Sequence, residues 1–390
     1  MSQTKAFLAI YTSIFISYLG VGLVAPLIAL VLREHNENSF MIGLIGTTMF
    51  TTFTLASFPI GTATDRIGPK PILVGGLIVY GASIALFALN LSTELFFLAR
   101  AIEGVGGAAI TVSTETMINK LSEPSERARR MSYYALSVGI GWAAGPLAGT
   151  LLFRISHAVP FIACFIFSLL AAIFAAALIP ATASTSHDLG GILGGLSKRL
   201  IVPMSAGALY GYSMSSLITL IPLYLTEELK VRETEMGTII TAVIVGAIVS
   251  QVPLGHAADR FGKRKTLLVC TVVLSIVFAL MAFHSDWRLF IATGAMAGAM
   301  AGSLYPIGLA MIGSIISKER LGAATSLFSL AFGVGSLLGP SISGLAMTHL
   351  GYRWLFYLPS ILTAAFAIEL LGLYRQVAAR ERLSVQDDKL

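Results

Sequence analysis

Twelve stretches of this chain are each long and apolar enough to cross a bilayer, and that constraint leaves few folds open. A span needs about 20 mostly apolar residues. Such stretches fall at 6–32, 40–64, 71–91, 94–119, 129–153 and 157–179, then at 200–225, 235–257, 266–284, 286–316, 321–347 and 351–374. Backbone polar groups find no water in lipid, so segments of this length and composition read as helices. Only 12% of the residues are charged, against about 25% in soluble domains. No soluble fold of 390 residues can hide a chain that is 56% hydrophobic. The 38 glycines suit close helix packing in lipid. The expected class is an all-α polytopic membrane protein.

Basic residues set an expected orientation. With the N-terminus in the cytoplasm, 19 of the 26 Lys and Arg fall in inside segments, six fall outside, and Arg100 lies within a span. That bias follows the positive-inside rule and puts both termini in the cytoplasm. The first span follows a single Lys and no small-residue cleavage site, so a removed signal peptide is not expected. The longest hydrophilic break, near 180–199, joins two halves and is too short to be a domain. The expected organisation is a six-helix bundle over 1–180, a cytoplasmic linker over 181–199, a second bundle over 200–375 and a cytoplasmic tail over 376–390.

The chain repeats itself. "GTATDRIGPKP" in the first half answers "GHAADRFGKRK" in the second. Gly61 and Gly255, Asp65 and Asp259, Arg66 and Arg260, and Gly68 and Gly262 are each 194 residues apart. The same offset joins Gly139 to Gly333, Gly141 to Gly335, and Gly145-Pro146 to Gly339-Pro340. Two independent stretches sharing one offset point to duplication. Parallel six-helix halves suit alternating access around a midplane site. A channel would need a pore-lining ring or filter, and none is visible.

These motifs resemble the major facilitator superfamily over nearly the whole chain. Both copies of G-x-x-x-D-R-x-G-x-[KR] lie between spans 2 and 3 and spans 8 and 9, where that family places them. "RAIEGVGGA" in span 4 resembles its arginine motif. "GIGWAAGPLAG" in span 5 resembles the Gly-Pro motif of proton-coupled exporters, and "YLGVGLVAPLIALVL" resembles drug-exporter first helices. The resemblance, closest to the 12-helix drug:proton antiporter group, implies two six-helix bundles. It implies a cytoplasmic gate at Gly61, Asp65, Arg66, Gly68, Lys70, Gly255, Asp259, Arg260, Gly262 and Arg264. Glu115 would join the Asp65–Arg66 network or stand as an exposed helix-end carboxylate. Static loop stabilisation is the alternative to gating. Gly139, Gly141, Gly145, Pro146 and Gly149 make one face of span 5 small, for sealing one conformation against leak or simply for tight packing.

Most charges lie at span borders, but Arg100 and Glu103 do not. Glu103 falls about 12 Å along span 4 from its outer start, with Arg100 three residues earlier on nearly the same face. Either charge buried alone would be costly. Glu103 is therefore the first candidate for proton coupling, with Arg100 beside it; a permanent structural pair and substrate recognition are the alternatives. Span 1 carries no Asp or Glu in its apolar body, unlike many proton-driven exporters, and Glu34 stands at its outer end. Glu369 in span 12 is expected to snorkel or sit near an interface.

The resemblance places spans 1, 4, 7 and 10 around the cavity, with 2, 5, 8 and 11 beside them. Candidate lining residues are Tyr18, Phe50, Tyr134, Trp142, Tyr210, Tyr212, Met300, Tyr305 and Phe332. Such a lining favours lipophilic or weakly cationic compounds over sugars or phosphates. The expected function is proton-coupled export of such molecules by alternating access. The alternatives are a proton-coupled importer or facilitator of an endogenous metabolite, or a lipid translocator. The expected partners are a small-molecule substrate, protons and membrane lipids, without nucleic acid, and the chain is expected to act as a monomer in a bacterial or archaeal cytoplasmic membrane. No cofactor beyond the proton gradient is expected. There is no P-loop, the six His are scattered, and Cys164 and Cys270 sit in apolar stretches without metal-ligand spacing, so an enzyme is not expected.

Overall fold

The computed structural model describes residues 3–89, 92–123, 126–180, 200–315 and 321–387. The expected linker 181–199, with Lys198 and Arg199, lies outside them, as do Lys318, Arg320 and Lys389. Twelve helices among the described residues meet the length and hydropathy of a membrane span. Spans 1–6 are Lys5–Glu34, Ser39–Ile67, Pro69–Ala88, Thr93–Leu121, Arg130–Phe153 and Val159–Leu178. Spans 7–12 are Ile201–Glu228, Glu233–Phe261, Lys263–Phe283, Trp287–Ile312, Leu327–Leu350 and Trp354–Gly372.

Local chemistry explains where these helices start, break and stop. Pro26 cannot donate a backbone N–H, and span 1 divides there into Gln3–Val24 and Leu27–Glu34. Asn38 caps span 2 by accepting from the Met41 N–H at 2.9 Å. Gly68 joins span 2 to span 3 at φ 91°, and Gly262 joins span 8 to span 9 at φ 95°. Side chains are strained in that region of backbone space, so both copies of the repeated loop need glycine there. The last helix runs on from the span to Asp387, and 373–387 holds no Gly or Pro to stop it.

Spans 1–6 and 7–12 form two bundles, meeting where span 2 runs along span 11 and span 5 along span 8. Their close approaches come in pairs that obey the 194-residue offset. Gly43 abuts the Pro340 carbonyl, and Gly237 abuts the Pro146 carbonyl. Gly139 meets Ile248, and Gly333 meets Thr54. Hydrogen bonds reinforce one of these seams: Thr47 donates to the Leu337 carbonyl at 3.0 Å, and Phe40 N–H donates to Thr348 Oγ1 at 2.9 Å. Arg33 pairs with Glu227 at 3.1 Å beyond them. These contacts run from mid-span to the Arg33 end.

Toward the other end, marked by Gly68 and Gly262, the repeated glycines Gly61 and Gly255 make no close approach to the opposite bundle. Nothing lies within 4 Å of where a Cβ on Gly255 would stand, and Gly61 has only Val112 of its own bundle at 4.0 Å. Close backbone approach therefore belongs to the glycines of the Arg33 end and not, in this structure, to Gly61 and Gly255.

Candidate functional site

Span 4 carries the deepest charges described. Arg100 Nη1 donates to Glu103 Oε2 at 2.7 Å, and both side chains are buried. Tyr80 of span 3 reaches Glu103 Oε1 at 3.5 Å. Three residues make most of a helical turn, so the pair is stacked on one face of span 4 by sequence alone. Gly104 and Gly106 beside it let spans 2 and 3 close in, since a Cβ would meet Met49 and Thr52 in one case and Tyr80 in the other. The Arg100 Nε–H is buried without a hydrogen-bond partner among the described residues. An unspent donor on a charged group gives this pair somewhere to go if Glu103 is neutralised.

Two adjoining cavities occupy the space between the bundles. The smaller, about 230 Å³, is bounded by spans 1, 2, 3, 4, 5 and 7 and includes Tyr18, Phe50, Tyr80, Arg100 and Glu103 in its wall. The larger, about 600 Å³, lies among spans 5, 7 and 8, with Tyr134, Tyr210 and Met214 in its wall. Val138, Trp142 and Ile218 belong to both walls and form the partition. The Trp142 indole N–H is buried there without a partner among the described residues. Exposed Leu136 and Val252 stand at the rim of the larger cavity, on spans 5 and 8.

The remaining cavity candidates divide. Tyr305 and Phe332 pack against Tyr210, with ring centroids 5.4–5.6 Å apart around the triangle. Tyr212 is buried, with its hydroxyl 2.9 Å from Ser343 Oγ; it faces span 11 and lines neither cavity. Met300 is partly buried against the apolar core and is in neither wall. Glu369 is exposed on the outer surface of span 12.

The repeated loops are less alike in their bonds than in their sequences. Asp65 pairs with Lys120 of span 4 at 3.7 Å, tying span 2 to span 4 within one bundle. Asp259 joins no ion pair among the described residues, because Ser314 occupies the position 194 residues after Lys120. Arg66 and Arg264 are exposed, Lys70 is half-buried, and Arg260 lies over the Phe261 ring at 5.4 Å. Glu115 does not join the Asp65–Arg66 network. It sits five residues before Lys120, about 140° away around the helix. Its side chain is half-buried, and among the described residues it makes no hydrogen bond or ion pair.

The small face of span 5 has a definite partner. Gly141, Gly145 and Gly149 lie against the span 1 backbone at Phe15, Gly22 and Leu23. Their images repeat the arrangement, with Gly335 against Ala208 and Gly339 against Tyr212 of span 7. Gly139 and Pro146 instead face span 8 of the other bundle.

A sequence profile of the Major Facilitator Superfamily matches residues 10–199 and 204–388. The chain is 28% identical over 350 residues to the uncharacterized MFS-type transporter YfkF of Bacillus subtilis (strain 168), covering 88% of each. It is 25% identical over 371 residues to multidrug resistance protein 1 of the same strain, covering 92% of this chain and 93% of that one. Quinolone resistance protein NorA of Staphylococcus aureus (strain COL) is 24% identical over 357 residues, with coverage of 88% and 90%. Two solved structures share the fold. A bacterial homolog of the human lysosomal transporter Spinster, inward-facing and occupied, has a TM-score of 0.82 at 14% identity, covering 95% of this chain and 96% of that one. The nucleoside transporter NupG has a TM-score of 0.76 at 14% identity, covering 96% and 99%.

Proposed function

The chain belongs to the Major Facilitator Superfamily and is a multi-pass transporter, not an enzyme; within that family we propose a proton-coupled exporter of lipophilic or weakly cationic small molecules. One observation carries the reading: a buried carboxylate and its Arg share a wall with an apolar cavity that adjoins a larger aromatic one. Two relatives whose names attach them to multidrug and quinolone resistance support it.

In this reading the membrane is a bacterial cytoplasmic membrane, with both termini inside. The Gly68–Gly262 end then faces the cytoplasm, and the Arg33 end, joined across the bundles by Arg33 and Glu227, faces the outside. Substrate enters from the cytoplasm and rests on the aromatic wall. Rocking the bundles closes the Asp65 and Asp259 loops and parts the Gly–Pro seams. From outside, a proton reaches Glu103, neutralises it and frees Arg100 to seek another acceptor. Loss of that proton inward restores the pair. Each state of Glu103 thus favours a different arrangement around Arg100. Spans 1 and 5 stay locked through Gly22 and Gly145, so that the first bundle moves as one body.

The exposed rim at Leu136 and Val252 favours lipid translocation as the second reading, with entry sideways between spans 5 and 8. Proteoliposomes with an imposed pH gradient separate the readings. Wild type should move lipophilic cations against their gradient, and Glu103→Gln should lose the gradient-driven component while keeping downhill flux. Full pH-driven transport by Glu103→Gln would sink the coupling assignment, and flux of labelled lipid alone would favour the second reading.

A further inference from the structure

We propose that Gln251 is a specificity-determining residue of the larger cavity, where its side-chain amide hydrogen-bonds a neutral lipophile that carries an amide of its own. The inference rests on the transport reading above and names the group by which one class of substrate is recognised.

The 194-residue repeat exposes an imbalance between the two seams. On the side of spans 2 and 11, three polar side chains are satisfied. Thr47 donates to the Leu337 carbonyl at 3.0 Å, Ser57 to the Phe53 carbonyl at 2.7 Å, and Ser336 to the Phe332 carbonyl at 2.9 Å. Their images on the side of spans 5 and 8 are Thr241, Gln251 and Trp142. The Thr241 hydroxyl and the Trp142 indole N–H are buried without a partner among the described residues. The Gln251 amide makes no hydrogen bond among them either. The larger cavity lies on this second side, with Gln251 and Trp142 in its wall.

Gln251 is the member of this trio that a guest can reach, because it is exposed in the cavity wall beside Val252. It stands ten residues before the end of span 8 at Phe261, about 15 Å along the helix and well inside the span. An amide left unbonded at that depth is costly, which favours a partner that enters the cavity. The rest of the wall defines that partner. Among the described residues it holds no Asp, Glu, Lys or Arg, and Met214, Ile218, Ile244 and Ile248 make much of it apolar. A charged guest would lose its water there without gaining a counter-ion. The Gln side chain offers both a donor and an acceptor, so a guest amide can bond it through its carbonyl or its N–H. The apolar wall takes the body of the guest, and about 600 Å³ is the size of a small-molecule pocket.

The test uses the purified full-length protein in detergent, with no gradient. The probes are benzanilide and trans-stilbene, two neutral molecules of nearly one shape whose rings are joined by an amide in the first and an alkene in the second. Binding is measured by equilibrium dialysis against protein-free micelles. Gln251→Leu and Gln251→Met should each weaken benzanilide about threefold to tenfold, the worth of one hydrogen bond, and leave stilbene unchanged or tighter. Ser57→Ala, at the repeated position, should change neither affinity. Size exclusion identifies folded variants, and either Gln251 variant recovered folded suffices. Benzanilide affinity unchanged in that variant overturns the role of Gln251 and leaves the transport reading standing. Equal loss of both probes shows a shape effect and also overturns it, as does an equal loss of benzanilide in Ser57→Ala. Wild type that binds neither probe overturns the lipophile reading of the cavity itself, and the role of Gln251 with it.

Discussion

Arg33 and Glu227 occupy equivalent positions in the two halves, 194 residues apart, and their side chains meet at 3.1 Å across the bundle interface. Their neighbours Glu34 and Glu228 are also equivalent, but each turns back into its own bundle. Glu34 reaches His157 at 3.2 Å, and Glu228 reaches Arg353 at 3.2 Å. Two identical halves would bring like charges together at the first position. The Arg/Glu difference lets each half recognise the other.

Reversing the charge at Arg33 should therefore loosen the closed end. Both side chains are 36% exposed, so the pair is worth about 0.2–1 kcal/mol, at most roughly a fivefold change in population. Arg33→Glu should raise thiol labelling of a cysteine placed at Thr47, and Arg33→Glu with Glu227→Arg should restore the wild-type rate. Equal labelling of single and double mutants would remove the latch.

Arg100 and Glu103 should be strongly non-additive in stability. Removing Arg100 alone strands a buried carboxylate, and breaking such a pair costs about 3–5 kcal/mol. Arg100→Met should thus lower the unfolding temperature more than Arg100→Met combined with Glu103→Leu. A double mutant as unstable as the sum of its singles would show that the two groups act apart.

Span 5 gives a prediction with its own control. Gly145→Val would drive a side chain into the Gly22 backbone, and overpacking of that kind costs about 1–3 kcal/mol or more. Gly255→Ala meets nothing within 4 Å and gains helix propensity, so its stability should be equal or higher. Thermal unfolding in detergent compares the two; a destabilised Gly255→Ala would contradict the open space beside that residue.

Gly68→Ala and Gly262→Ala should each cost about 1–3 kcal/mol, because both backbones sit at positive φ with extended ψ. The two losses should be similar, even though Asp65 has an ion-pair partner and Asp259 has none among the described residues. Unfolding curves for the two variants measure this directly.

The twelve spans, the break at Pro26 and the two glycine turns are all readable from local chemistry: length, apolarity, a missing N–H and a backbone that excludes side chains. The helix partners are not. A span that is apolar all round has no stripe to fix its rotation. Tyr210 and Tyr212 lie only two residues apart, yet one lines the cavity and the other bonds Ser343. Glu115 shows the same ambiguity, since it lies about 140° around span 4 from Lys120, which pairs with Asp65. The stacked Arg100–Glu103 pair was legible because a three-residue spacing needs no knowledge of rotation.

The paired seams have a bearing on ancestry. Gly43 against Pro340 and Gly237 against Pro146 are one contact made twice, as are Gly139 against Ile248 and Gly333 against Thr54. A symmetric dimer of a single six-helix chain would possess the same joints before any fusion of the halves. The two faces of the interface are thus interchangeable in kind, and each half carries both the glycine and the proline side of the joint.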